Sequence, residues 1–309
     1  MVGFLDAGGP ATRNDGSSGT WILTEPSGAC QDLTLRLRTW ADAHSTEPSA
    51  ARLRLAYERL LARMDAASPL LWLVRGGRAI DLRFEGRARR TVDLDVSVAD
   101  TAPLGLAELR LLLSQVCQTD VGDGWAITLA RLQRSLVKGI GVVGFKAWLA
   151  VRYDARPFGE ISLDVSKTYT STIRPETLSV PGMLADARLR VAVVRPEVQI
   201  AEKVHTFTRP QGAKPTARSY DLVDAVALVL AEELDLATLR TAAEETFRDR
   251  SAHSPPCMLA AAPAEWATAF QVHGEGYGLA HLSTAQGLAI LSAVWEQAMR
   301  LPATSHDSA

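Results

Sequence analysis

Cysteine is scarce in this sequence: Cys30, Cys117 and Cys257 are widely spaced and odd in number. That argues against a disulfide framework and fits free thiols in a reducing cytoplasm. No apolar run approaches the roughly 18 residues that a membrane-spanning helix needs. The N-terminus lacks a basic start followed by an apolar core, so no secretory signal is expected. Net charge is nearly absent as well. A formal value of −2 gives no global attraction for nucleic acid, so an RNA or DNA partner must be met by a local basic patch. The six histidines, His44, His205, His253, His273, His281 and His306, have no metal-ligand spacing with the cysteines. A G-x-S-x-G elbow is missing, and so is a G-x-x-x-x-G-K-[ST] loop.

What is present suffices for a sizeable core: 47% of the 309 residues are hydrophobic, enough for one large domain or two. Residues 1–30 are rich in Gly, Ser, Pro, Asn and Asp and read as a flexible arm. From Leu33 the pattern is helical, with a break near Ser45-Thr46-Glu47-Pro48. Ser45 or Thr46 is the expected cap of a second helix, with Pro48 in its first turn. Expected strands are Leu70–Val74, Thr91–Val98, Trp125–Leu132, Phe145–Tyr153, Glu160–Ser166 and Leu189–Val194, with Arg156-Pro157-Phe158-Gly159 in the loop before Glu160. Short helices are expected over Arg78–Phe84 and Leu104–Cys117. After Arg195-Pro196 the pattern becomes wholly helical, over Glu197–Thr208, Arg218–Glu233, Leu236–Arg248, Pro263–Val272 and Thr284–Arg300. The expected organisation is an α/β (α+β) domain over 31–195, a helical domain over 196–301 and a frayed tail over 302–309.

Chemistry concentrates in a few places. Gly76-Gly77 follows an apolar strand, where absent side chains allow close backbone approach and the next helix can offer N–H groups to phosphate. Asp93 and Asp95 alternate with Val92, Leu94 and Val96, which puts both carboxylates on one strand face, about 7 Å apart. Two like charges among residues that favour burial call for a cation. Asp164, in the apolar run Ile161-Ser162-Leu163-Asp164-Val165, is the candidate third carboxylate, with Glu160 its rival. Three acids on adjacent strands are the usual holder of a two-metal phosphoryl-transfer site. Lys203 lies two helical turns beyond Pro196. Singly, each motif is commonplace: Gly-Gly is most often a plain turn, Asp-x-Asp a polar strand end, and a helical lysine a solvated one.

Two further features read as background. Gly139-Ile140-Gly141-Val142-Val143-Gly144 matches the dinucleotide fingerprint, but a strand-like segment follows where a helix is required. The basic runs Arg83–Arg90 and Arg131–Lys138 could contact an RNA backbone, although solvated faces are the commoner use. Trp72, Trp125, Trp148 and Trp266 are expected in the core rather than as base-stacking platforms.

In order along the chain stand Gly76-Gly77, Arg89-x-Thr91-x-Asp93-x-Asp95, Ala201-Glu202-Lys203 and Arg218-x-x-Asp221-x-x-Asp224. This series, over about residues 70–225, resembles the nucleotidyltransferase-type toxins of the AbiEii/AbiGii class, which include the mycobacterial MenT toxins. The resemblance implies a DNA-polymerase-β-like nucleotidyltransferase domain followed by a helical C-terminal domain, and a toxin paired with a separate antitoxin protein. Some members of the class transfer nucleotides to the 3′ acceptor end of tRNA, which blocks aminoacylation, and others act in defence against phage. By position, Asp93, Asp95 and Asp164 would hold Mg²⁺ (or Mn²⁺), and Gly76 and Gly77 would cradle the triphosphate of an NTP. Lys203 would meet phosphate charge, with Asp221 nearby. Arg78 stands where many members have Ser or Thr, and would either add a phosphate contact or crowd the turn. Two other readings keep the fold: nucleotidyl transfer to a protein side chain, and a non-catalytic nucleotide-binding scaffold that acts through a partner.

Overall fold

The computed structural model describes residues 30–88, 91, 93–99, 104–136, 143–166, 171–184, 188–209, 218–250 and 253–302. The expected N-terminal arm up to residue 29 and nearly all of the expected C-terminal tail lie outside the described residues, as does the first part of the Gly139–Gly144 motif, while Cys30 already belongs to a helix. Two helices, α1 (Cys30–Ala43) and α2 (Pro48–Ala67), lead into strand β1 (Trp72–Arg75), helix α3 (Gly76–Arg83) and strand β2 (Leu94–Val98). Helix α4 (Leu106–Gln118) precedes a three-stranded meander, β3 (Trp125–Leu136), β4 (Val143–Tyr153) and β5 (Arg156–Ser166). Strands β6 (Glu176–Pro181) and β7 (Arg188–Val193) complete a seven-stranded sheet of order β3-β4-β5-β2-β1-β7-β6. Among the described strands, β2–β5 and β1–β7 pair in parallel and the other pairs are antiparallel. Helices α5 (Pro196–Thr208), α6 (Ser219–Ala231), α7 (Leu236–Arg250), α8 (Ala267–Gly274) and α9 (Thr284–Arg300) follow.

Apolar residues gather in two cores. Alternate residues of the sheet, such as Val74, Val96, Leu149 and Leu163, pack with Leu55, Leu60 and Met64 of α2 and Leu109 and Leu113 of α4. The second core joins α5–α9 through residues such as Ile200, Val226, Phe247, Phe270 and Trp295, with Ile80 contributed by α3. Arg83 links the two regions. It donates to the Val194 carbonyl at 2.9 Å and pairs with Glu176 of β6 and with Glu232 just past α6.

Several expectations are corrected. Arg156-Pro157-Phe158-Gly159 is not a loop but the start of β5. The chain reverses at Asp154-Ala155, whose φ values of 47° and 59° are those of a two-residue hairpin turn. Pro157 is tolerated because the β4–β5 register shifts between Val151 and Arg152. Strand β6 escaped the sequence reading: it is a six-residue edge ending at Pro181, with Leu178 and Val180 turned inward. Helix α3 starts directly at Gly76, and Asp93 lies one residue before β2. Glu47, not Ser45 or Thr46, is the N-cap of α2. The segment expected as one helix from Pro263 is a 3₁₀ turn, Ala264–Trp266, followed by α8.

Charge is also buried. Asp123 receives two hydrogen bonds from Arg63, at 3.0 and 2.6 Å, and Arg63 donates a further bond of 2.6 Å to the Trp125 carbonyl. Arg59 stands 3.9 Å away, fully enclosed. Asp123→Ala would leave the enclosed Arg63 guanidinium without its carboxylate and Arg59 with Glu58, at 3.5 Å, and is expected to cost about 3–5 kcal/mol in urea unfolding. His205 of α5 is a second enclosed group, stacked on His253 and edge-on to Phe247. Burial, Arg250, His253, Arg209 and Arg218 push its pKa from 6.5 down to about 4. Between those values the unfolded chain takes up the proton and the folded chain does not, so stability falls as the pH drops through that window. Unfolding midpoints measured from pH 7 to pH 4 should show a shallower acid slope for His205→Phe than for the wild type.

Candidate active site

The site begins where β1 ends. Arg75 is extended, at φ −140° and ψ −172°, and Gly76 turns left-handed, at φ 63°, to open α3. Antiparallel pairing of β1 with β2 sets Arg75 opposite Asp95, and the Asp95 carboxylate leans over the turn. A Cβ on residue 76 would lie 2.4 Å from Asp95 Oδ2. Both the backbone conformation and the contact therefore require glycine at that position. Gly77 follows as the second residue of α3, half-buried.

Parallel pairing of β2 with β5 sets Asp95 directly beside Asp164. Glu160 lies two same-face positions down β5, about 13 Å away along the strand, so Asp164 is the β5 acid at the site. Burial and the neighbouring Asp164 raise the Asp95 pKa to about 6; Arg75 and Lys203 oppose the rise and Asp93 adds to it. The two strands also share Ser97 and Ser166, whose hydroxyls are 2.6 Å apart. Arg75 donates to both, at 2.7 and 3.2 Å, and pairs with Glu202 of α5.

The next two helices supply a second charge cluster. Lys203 of α5 reaches Asp221 at 3.0 Å and the fully buried Asp224 at 2.8 Å, both on α6. The Tyr277 hydroxyl donates to the other Asp224 oxygen at 2.8 Å. Arg250, at the end of α7, pairs with Glu202 at 3.2 Å. Lys203 is close enough to Asp95 to lower its pKa, which ties this cluster to the strand carboxylates.

The sequence-selected residues thus fall into three groups. Gly76, Asp95 and Asp164 adjoin one another, with Asp93 within electrostatic reach. Lys203 and Asp221 form an ion pair beside them. Arg78 is turned away: its buried guanidinium donates to Asp81 at 2.8 Å and to the Thr91 carbonyl at 3.1 Å, and lies over the Tyr57 ring. Sequence reading missed Arg75, Glu202, Arg250, Tyr277 and Lys146. Arg75 carried a signal, as a lone charge closing an apolar strand just before Gly-Gly. Lys146 carried none, because only the β4–β5 register brings it to Asp164, at 2.8 Å.

Among the described residues, no three His, Cys, Asp or Glu side chains converge on one point as a closed metal cage. Mg²⁺ rarely uses such cages; it is commonly held by one or two carboxylates together with water and substrate phosphates. The donor set here has that character. Asp95 and Asp164 are hard oxygen donors side by side, burial and then Asp164 raise the Asp95 pKa, and the Lys146 ammonium lies against Asp164 where a cation is favoured. The residues fit a divalent ion.

No helix among the described residues is long and apolar enough to cross a membrane. The mixed sheet, with acids on adjacent central strands and helices packed behind them, is consistent with a nucleotidyltransferase fold. A search of curated proteins returns no match. The family model described as nucleotidyl transferase AbiEii toxin, type IV toxin–antitoxin system, matches residues 59–297, a stretch that contains the glycine turn, every strand and the Lys203–Asp221 pair. With well over half of its length inside that match, the chain belongs to the AbiEii nucleotidyltransferase toxin family.

Proposed function

We propose that the protein transfers a nucleoside monophosphate from an NTP to RNA, at the 3′ acceptor end of tRNA, and so blocks translation until a cognate antitoxin protein restrains it. The observation that carries the reading is the Asp95 carboxylate seated on Gly76, with Asp164 at its side, where a helix opens toward the same point. Family membership supports an NTP substrate, transferase chemistry and an antitoxin partner.

In this reading the backbone N–H groups at the start of α3 receive triphosphate oxygens, and the missing side chain at Gly76 lets them approach. Lys203 and Arg75 offset phosphate charge while Asp221, Asp224 and Glu202 hold those cations in place. Asp93, Asp95 and Asp164 would hold Mg²⁺, which supplies Lewis-acid neutralisation of phosphate charge when bound. The 3′-hydroxyl oxygen of the acceptor forms a bond to the α-phosphorus, the α–β phosphoanhydride bond breaks, and pyrophosphate leaves. The hydroxyl proton passes to the carboxylate cluster. The protein contributes positioning and preorganised charge rather than a covalent intermediate.

Incubation with each radiolabelled NTP and total tRNA is expected to place label on RNA, and Asp95→Asn should lower that labelling by about 10²-fold or more. Label on a polypeptide alone, or equal labelling by the variant, would overturn the reading. Gly76→Ala tests the turn separately. Its methyl group must displace Asp95 and occupy a left-handed backbone at a cost of about 1–2 kcal/mol. Calorimetric titration should show NTP binding weakened at least about tenfold, with a folded protein by circular dichroism.

A further inference from the structure

Three of the four tryptophans expected in the core are there: Trp72, Trp125 and Trp266 are all at most 5% exposed. Trp148 is not. It lies half-buried on the face of β4 that points away from the α2 and α4 packing, and its register partners are Arg131 on β3 and Ser162 on β5. The Arg131 guanidinium carbon is 3.5 Å from the centroid of the Trp148 indole. Arg131 reaches it through an irregularity in β3. The register runs from Leu129 opposite Leu149 to Arg131 opposite Trp148, passing over Ala130. Such bulges re-aim side chains at the edges of sheets, and this one sets a planar cation over an accessible indole where regular pairing would set a methyl group.

The surroundings favour nucleic acid. On this face Trp148 is preceded along β4 by Lys146, one same-face position and about 7 Å away, and Lys146 touches Asp164. Small side chains, Thr128, Ala150 and Ser162, flank the indole, and the exposed Glu160, opposite Ala150, is the nearest acid beyond them on that face. Strand order decides which substrate the platform would meet. The phosphate turn lies beyond β1, on one side of the Asp95–Asp164 pair, and β4 lies on the other, in the series β4-β5-β2-β1. A triphosphate held at Gly76 therefore approaches the carboxylates from the side opposite Trp148.

We propose that the Arg131–Trp148 pair is a stacking platform for an unpaired nucleobase of the RNA acceptor, which guides the 3′ end along β4 to Asp164. The inference rests on RNA as the acceptor in the proposed reaction and adds where the RNA lies. A π-cation stack recognises the flat face of any base and requires that the base be unpaired. Lys146 and Arg131 supply the positive charge that the flanking phosphates need.

The test is fluorescence anisotropy with a 5′-fluorescein single-stranded oligoribonucleotide and a blunt RNA duplex, for the wild type, Trp148→Ala, Trp148→Phe and Arg131→Ala. NTP affinity is measured in parallel by calorimetry. Trp148→Ala should weaken single-strand binding about tenfold, within the range of one base–aromatic stack. Trp148→Phe should keep most of the affinity, Arg131→Ala should fall between them, and duplex and NTP affinities should not move. Unchanged single-strand affinity in Trp148→Ala overturns the platform, as does a wild type that binds no single strand. A parallel loss of NTP affinity in Trp148→Ala also overturns it, since that marks a structural role only. Because anisotropy reads binding without transfer, an RNA-labelling failure beside an intact tryptophan effect sinks the proposed reaction and leaves the platform standing.

Discussion

The contact between the Asp95 carboxylate and the Gly76 backbone governs the rest of this site. It sets a strand carboxylate against the tight turn that opens a helix. Nothing larger than hydrogen fits at residue 76 while Asp95 holds its place. The sheet fixes that place from both sides, through Arg75 opposite Asp95 on β1 and Asp164 beside it on β5. The outcome is a buried carboxylate at a helix N-terminus with a second acid beside it, and burial together with Asp164 raises the Asp95 pKa against the pull of Arg75 and Lys203. A site left in that condition is prepared for charge delivered by a ligand.

Around this centre the protein invests heavily in paired charge. Arg75, Arg83 and Arg250 each connect elements far apart in sequence, and the Lys203–Asp221–Asp224 cluster closes with the Tyr277 hydroxyl. These groups face carboxylates, serine hydroxyls or carbonyls rather than bulk water. A lysine or arginine held in that way needs little reorganisation when a phosphate arrives, which is where preorganised charge gains its catalytic effect.

Much of this was legible in the sequence, and the reasons for the gaps are physical. The glycine turn, Asp93, Asp95 and Asp164 stood out as candidates because each is chemically odd for its surroundings, a charge in an apolar strand or a pair of glycines after one, whereas Lys203, ordinary for a helix, was selected only through the family resemblance. The C-terminal helices were legible through their period. What failed were features set by pairing rather than by composition. Arg156-Pro157-Phe158-Gly159 looks like a turn, yet it pairs with β4 through a register shift that passes over Phe158. Arg78 follows the glycines closely enough to invite a phosphate role, but the rotation of α3 carries it toward Asp81 and Tyr57. Trp148 resembled the other tryptophans until the alternation of β4 put it on the open face.

The parallel pairing of β2 with β5 has a consequence in time. Asp95 and Asp164 stand 69 residues apart in the chain, and a parallel register between them cannot close until the intervening helix and two-stranded meander are in place. Pairings of such long sequence separation are slow to nucleate. During synthesis the glycine turn and Asp95 leave the ribosome well before their acidic partner, and Lys203 later still. A nascent or truncated chain ending before β5 would therefore carry the recognisable motif without the paired carboxylates, so that a potentially harmful chemistry is withheld until more than half of the polypeptide has been made.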